Sequence, residues 1–146
     1  MGINSVFDIA GSAMTAQNIR INTTASNIAN AQSAASSIDE VYRGRHPVFA
    51  AVQRTAMEFG NDDDSNDRKA GVGVSVLGIV ESDAPLQKRY EPHHPLADEE
   101  GYVMYPNVDV VEEMTNMISA SRSFQMNVEV MNSAKEMLQK ALTLGQ

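Results

Sequence analysis

Residues 110–142 read VVEEMTNMISASRSFQMNVEVMNSAKEMLQKAL. Steps of four and three from Val110 reach Met114, Met117, Ser121, Phe124, Val128, Met131, Lys135, Leu138 and Leu142, all apolar except Ser121 and Lys135. That spacing is the stripe of a helix lying along a partner helix. Asp109, with Glu112 three residues on and Pro106-Asn107 just before, marks where the helix begins, and Gly145 is placed to end it.

The opposite end of the chain carries the same pattern. Ile3, Phe7, Ala10, Met14, Gln17, Ile21, Thr24 and Ile28 follow one another at steps of four and three, and six of these eight are apolar. Ser5 with Asp8 reads as a capping box at the start. The remaining surface is Asn, Gln, Ser, Thr and Ala, and residues 1–38 hold only Asp8 and Arg20 as charges. A solvent-facing helix normally carries Lys and Glu on its outer side, so this composition suits a helix covered by protein on several sides. At ~1.5 Å per residue the two helices span roughly 40 and 50 Å. Neither is stable alone, because most helix stability comes from packing an apolar face.

Between them the period changes. Val48–Met57 and Val72–Val80 are β-branched stretches bounded by turn formers, and Val72, Val74 and Val76 alternate with Gly73 and Ser75 as in a strand. Gly60–Gly71 (GNDDDSNDRKAG) reads as a polar, mobile loop. Pro85, Pro92 and Pro95 punctuate a connector, and Gly101–Tyr105 reads as a short strand. No internal repeat is present. The expected fold is α+β and mainly α: an N-terminal helix within 1–33, a β-rich segment within 34–106, and a C-terminal helix within 107–146. The two terminal helices are expected to pack as an antiparallel coiled coil.

Composition narrows the function classes. The chain has 146 residues, room for one domain. Aromatic residues make up 5% and Trp is absent, which is thin anchoring for a compact enzyme core, whereas nine Met suit irregular interfaces. Without Cys there is neither a disulfide nor a thiolate metal site. A net charge of −8 argues against nucleic acid, since phosphate binding needs clustered Lys and Arg. No apolar run approaches the ~20 residues of a membrane span. The N-terminus lacks a basic region followed by an apolar core, so no cleaved signal is expected.

The constellations that invite chemistry have simpler readings. Asp62, Asp64 and Asn66 fit the first ligands of a calcium loop, but Asp67 stands where Gly is needed and Gly73 where a bidentate Glu is needed. His93, His94, Asp98, Glu99 and Glu100 are possible metal ligands in a connector broken by two prolines, with His46 far away in sequence. Gly71-Val72-Gly73 lacks the third glycine of a phosphate loop. Asn22-Thr23-Thr24 is a glycosylation sequon inside a predicted helix. No serine sits in a nucleophile elbow. No catalytic residue, cofactor or metal is expected. Ser119-Ala120-Ser121-Arg122-Ser123 reads either as a site of close backbone approach or as a solvated turn.

The two ends together resemble the axial proteins of bacterial flagella. Asn27-Ile28-Ala29-Asn30 looks like the N-terminal rod signature. Tyr105-Pro106-Asn107-Val108-Asp109-Val110-Val111-Glu112-Glu113-Met114, then Ser119–Gln125 and Asn127–Val130, look like the C-terminal one. Within that family the best likeness is to proximal-rod proteins of the C type. It is carried by Val41-Tyr42-Arg43, Pro47-Val48-Phe49, Gly71-Val72-Gly73-Val74, His94-Pro95-Leu96-Ala97-Asp98 and Gly101-Tyr102-Val103. Many relatives carry Thr-Pro-Gly-Tyr after the Asn-rich signature, where this chain has Ala31–Ser37, a departure that disfavours the distal-rod type.

The resemblance implies a non-enzymatic rod subunit with no cofactor, in the basal body where the rod crosses the periplasm. It also implies export by the flagellar type III apparatus, and as partners other copies of the chain, other rod proteins and the junction protein at the rod base. The expected assembly residues are Ile3, Phe7, Met14, Ile21, Asn27, Ile28 and Asn30 in the first helix. In the second they are Val110, Met114, Met117, Ser121, Phe124, Val128, Met131, Leu138 and Leu142. The alternatives are another rod subunit, or a soluble helical adaptor or metal-binding module using His93–Glu100.

Overall fold

A computed structural model describes residues 3–52 and 73–144. Helix α1 spans Ile3–Asn30 and helix α2 spans Val110–Leu144. Between them lie β1 (Arg45–Val52), β2 (Gly73–Glu81), β3 (Gln87–Tyr90) and β4 (Tyr102–Tyr105). The fold is mainly helical, with a small central antiparallel β region. The loop expected at 60–71, the calcium-like run 62–67 and Gly145 lie outside the described residues.

Helix α2 begins where Asp109 places it. The Asp109 Oδ1 accepts from the backbone N–H of Val111 at 2.8 Å and of Glu112 at 3.3 Å, satisfying two of the donors a helix start leaves open. Helix α1 starts earlier than its capping box suggested: Ser5 lies inside the first turn, two residues past Ile3. Its far end is closed by Asn30, whose Nδ2 donates to the Ser26 carbonyl at 2.8 Å.

The helices pack on each other. Arg20 Nη2 donates to Asn116 Oδ1 at 3.1 Å, and Asn27 Nδ2 to Glu113 Oε2 at 2.9 Å. Numbers that rise along α1 therefore fall along α2, as in helices running in opposite directions. The buried positions of α2 are Glu113, Ala120 and Ala134, with Met117, Phe124 and Met131 half-buried between them. Ala120 is 0% exposed. A methyl there lets the two backbones approach, so of the two readings of the small-residue stretch, close approach holds at Ala120. The apolar stripe and the buried face share Met117, Phe124 and Met131. They differ by one residue elsewhere, because small Ala120 and Ala134 seat more deeply than Ser121 and Lys135 do.

Helix α1 is covered on two sides. Ala16, Thr23 and Asn27 are buried on one line and Ala10 and Thr24 on another, and β1 and β2 pack against it as well as α2. Ser12 joins it to β2: its Oγ donates to the Ile9 carbonyl at 2.8 Å and accepts from the Val74 N–H at 3.1 Å. A Cβ on Gly73 would stand 3.0 Å from that hydroxyl oxygen, so a side chain there would press on the Ser12 hydroxyl that makes both bonds. Buried Thr23 satisfies its hydroxyl within its own helix, donating to the Ile19 carbonyl at 2.8 Å.

Strands β1 and β2 form an antiparallel ribbon from Arg45↔Glu81 to Val52↔Gly73. The register slips at Val48/Phe49, which pair with Gly78 and Val76 and leave Leu77 bulged. Strand β2 matches its expected span over the described residues. Strand β1 starts three residues before the predicted Val48. Strand β4 falls within the predicted Gly101–Tyr105, but its partner β3 was read as connector, since QKRY carries no apolar alternation. Aromatic contacts hold it instead: Lys88 Nζ lies 4.4 Å above the Tyr102 ring, the Arg89 guanidinium 4.6 Å above the Tyr105 ring, and Tyr90 meets Tyr102 edge-on at 5.3 Å. Burial, reinforced by the hydrogen bond Tyr105 donates to Glu91 and by that carboxylate's charge, holds the Tyr105 phenol above 10.0, with Arg89 opposing.

The overlap of small residues at the helix contact is testable. Ala120→Leu forces extra methylenes into a closed site and should lower stability by about 1–3 kcal/mol in urea unfolding. Exposed Ser119→Leu should stay within about 0.5 kcal/mol.

Candidate assembly interface

The residues that organise the molecule are two asparagines. Asn27 is 0% exposed, and all four of its amide hydrogen-bonding positions are filled. Its Oδ1 accepts from the Tyr42 hydroxyl at 2.8 Å and the Arg45 N–H at 2.9 Å. Its Nδ2 donates to the Arg45 carbonyl at 2.8 Å and to Glu113 Oε2 at 2.9 Å. One side chain thus ties the end of α1 to the start of β1 and the first turn of α2. Asn107 repeats the device from the other terminus. Its Oδ1 accepts from the Gly44 N–H at 2.8 Å, and its Nδ2 donates to the carbonyls of Ser82 at 3.2 Å and Ala84 at 2.8 Å.

Glu113 is 4% exposed. Among the described residues no Lys or Arg pairs with it. The amide of Asn27 and the partial positive charge of the α2 N-terminus are what favour a carboxylate there. Arg45 is spent elsewhere, bonded to Glu81 at 3.0 Å across the ribbon and lying 5.4 Å from the Tyr42 ring centre.

Burial sorts the remaining expected assembly residues. Phe7, Met14, Ile21, Ile28 and Asn30 of α1 are half-buried, as are Val110, Met117, Ser121, Phe124, Val128 and Met131 of α2. Met114, Leu138 and Leu142 are exposed, Leu142 at 66%. The side chain of Ile3 lies outside the described set. An apolar face that the stripe did not include is also open: Val111 at 73%, Ile118 at 58%, Met126 at 64%, and with them Val130 and Met137. The β1–β2 ribbon adds Leu77, Ile79 and Val80. Large apolar side chains exposed in this number are the kind of surface that protein–protein contacts use.

Chemistry has no comparable foothold. His94 Nδ1 accepts from the Leu96 N–H at 3.2 Å, and Asp98 Oδ1 accepts from the N–H groups of Glu100 at 3.0 Å and Tyr102 at 2.8 Å. These acceptors shape a turn that closes on Gly101 at φ 80°. Among the described residues no three His, Asp or Glu side chains converge, and no described helix is long and apolar enough to cross a membrane. A hollow of about 540 Å³ beside Asn30, Ile38, Asp39, Arg43 and Glu81 is open and polar, unlike the mostly apolar enclosures that hold small ligands.

Residues 7–32 match the family described as Flagella basal body rod protein. Residues 99–144 match the one described as Flagellar basal body rod FlgEFG protein C-terminal. Over its full length the chain is 48% identical to the flagellar basal-body rod protein FlgC of Escherichia coli O6:H1, with 100% of both chains covered. The chain belongs to the FlgC family of flagellar basal-body rod proteins. The FlgC of Salmonella typhimurium is 47% identical, again over 100% of both chains. That of Borreliella burgdorferi is 38% identical over 151 residues, covering 100% of this chain and 99% of its own. The two matched segments carry the hub: Asn27 lies in the first, Asn107 and Glu113 in the second.

The sequence singled out Asn27 only through the N-terminal rod signature of the axial family and did not mark Glu113, Ala120, Ala134, Tyr42 and Asn107 as structural partners. The available signal was the Ala120–Ala134 spacing of two heptads, which the apolar walk stepped over. The hub's weight is measurable. Asn27→Ala leaves the Arg45 backbone groups and a buried carboxylate without partners and should cost about 3 kcal/mol. Asn30→Ala, which frees one carbonyl in its own helix, should cost about 1 kcal/mol; urea unfolding of both variants compares them.

Proposed function

We propose that this chain is a structural subunit of the proximal part of the flagellar basal-body rod, polymerising helically through its terminal helices. The observation that carries the reading is the apolar face of α2, Val111 to Met137, which the chain's own fold leaves uncovered, in a protein whose full-length relatives are named rod proteins. Those relatives are structural, and the chain is a structural protein and not an enzyme. Its place is the basal body, among other rod components.

In this reading α1 and α2 form an antiparallel coiled coil within segments 1–33 and 107–146, and the 34–106 segment lies outside them. Seven-residue spacing of Met117, Phe124 and Met131, with small Ala120 and Ala134 three residues after the first and the last, supports that packing. Neighbouring copies and other rod proteins complete the burial of Met114, Leu138 and Leu142, with the junction protein as partner at the base. Secretion runs through the flagellar type III apparatus without signal cleavage. A pair of helices with few aromatic anchors suits passage in an unfolded state and completion of the helix ends on assembly.

Two outcomes test this. Met126→Asp places a charge on the open face, so the isolated chain should unfold at the parent midpoint while cells carrying the variant lose rod assembly and swimming. Phe124→Asp, on the half-buried side, should lose both stability and motility. Normal swimming with Met126→Asp would place the contact elsewhere. The second test is circular dichroism of dilute monomer, which should report fewer helical residues than the 28 of α1 and 35 of α2. Full helicity at that stage would mean assembly completes nothing in these helices. Recovery of the chain in purified basal bodies checks the location directly.

A further inference from the structure

We infer that the buried pair Asn27–Glu113 sets the register of α1 against α2. The apolar packing alone specifies it weakly. On α2, Met117, Phe124 and Met131 recur every seven residues; on α1, Ala16 and Thr23 do the same. A slide of seven residues therefore keeps large apolar side chains on the Met117–Phe124–Met131 line and sets Ala16 where Thr23 stood. A slide of seven also separates the buried Asn27 amide from the buried Glu113 carboxylate: in one direction Ala120 comes opposite Asn27, and in the other Arg20 comes opposite Glu113 while Asn27 passes the start of α2. In either case the Asn27 amide loses its partner on α2, which is how a single buried polar residue selects register in helical pairs. Asn27 adds a second constraint, because its other three bonds go to Tyr42 and Arg45. A slipped pair would have to break the start of β1 as well. The same logic excludes a helix borrowed from a neighbouring copy at the wrong height, which matters for a chain whose helices lie among similar ones. Register is a property of the isolated chain, so its failure and failure of the rod assignment read out separately.

The chain contains no Cys, so spin labels can be placed at will. Asn22→Cys and Glu136→Cys, both exposed, put one label on each helix with a long axial offset. A seven-residue slip moves them by about 10 Å along the axis. Pulsed electron-spin distance measurements on the full chain should give one distance in the parent background. With Asn27→Leu a second population displaced by about 10 Å should appear. Glu113→Gln keeps an acceptor for the Asn27 amide and should retain the parent distance, whereas Glu113→Leu should not. Should Asn27→Leu fail to fold, the Glu113 pair decides. A single parent distance in both leucine variants, or identical distributions for Glu113→Gln and Glu113→Leu, overturns the inference.

Discussion

A primary amide removed from water must find two donors' and two acceptors' worth of partners, and at Asn27 it finds all of them. The partners come from three separate parts of the chain. Tyr42 and Arg45 belong to the segment leaving α1, Glu113 to the first turn of α2. None of those groups has an equally good alternative once buried, so closing one bond favours closing the rest. Everything else hangs from this knot. The ribbon begins at Arg45 because its N–H and carbonyl are already held, and α2 begins beside it because Asp109 caps the turn that presents Glu113. Asn107 repeats the arrangement on the other side of the crossing, gripping Gly44 and the chain after β2.

The terminal helices were legible because their information is repeated at every turn: a stripe of apolar residues over nine turns survives a few exceptions. Which flank of the stripe faces inward was not legible. Hydrophobicity ranks Met114 above Glu113, yet Met114 is exposed and Glu113 buried. The reversal is physical. A backbone-to-backbone approach selects alanine at positions 120 and 134, and once those two define the inner line, position 113 lies on it whatever its polarity. The carboxylate is tolerated because Asn27 and the helix terminus are there to meet it.

The central segment divides in the same manner. Strand β2 announces itself by Val-x-Val alternation, a local signal. Strand β3 has none, since Lys88, Arg89 and Tyr90 acquire their role only when Tyr102 and Tyr105 lie across from them. Pairing across a loop of eleven residues, 91–101, is information that a single pass along the sequence does not carry. Within that loop two of the polar side chains, His94 and Asp98, bond its backbone. Asp98 fixes two N–H groups and His94 one.

The distribution of burial finally separates two tasks that a compact domain usually merges. Among the described residues, buried apolar side chains are few and small, chiefly alanine and valine, with Val103 the largest of those completely enclosed. Specificity within the chain is delegated to hydrogen-bonded polar groups, which discriminate sharply between right and wrong partners. The large flexible hydrophobes are left on the outside: Met114, Ile118, Met126 and Met137 along α2, Leu77 and Ile79 on the ribbon. Methionine adapts to irregular surfaces at small cost in fit, which suits contacts that must be made to more than one kind of neighbour. A subunit that fixed its own fold with its best hydrophobes would have little left for its neighbours. Here a polar knot holds the chain's two ends in place, and the apolar surface remains available for contacts with the rest of the rod.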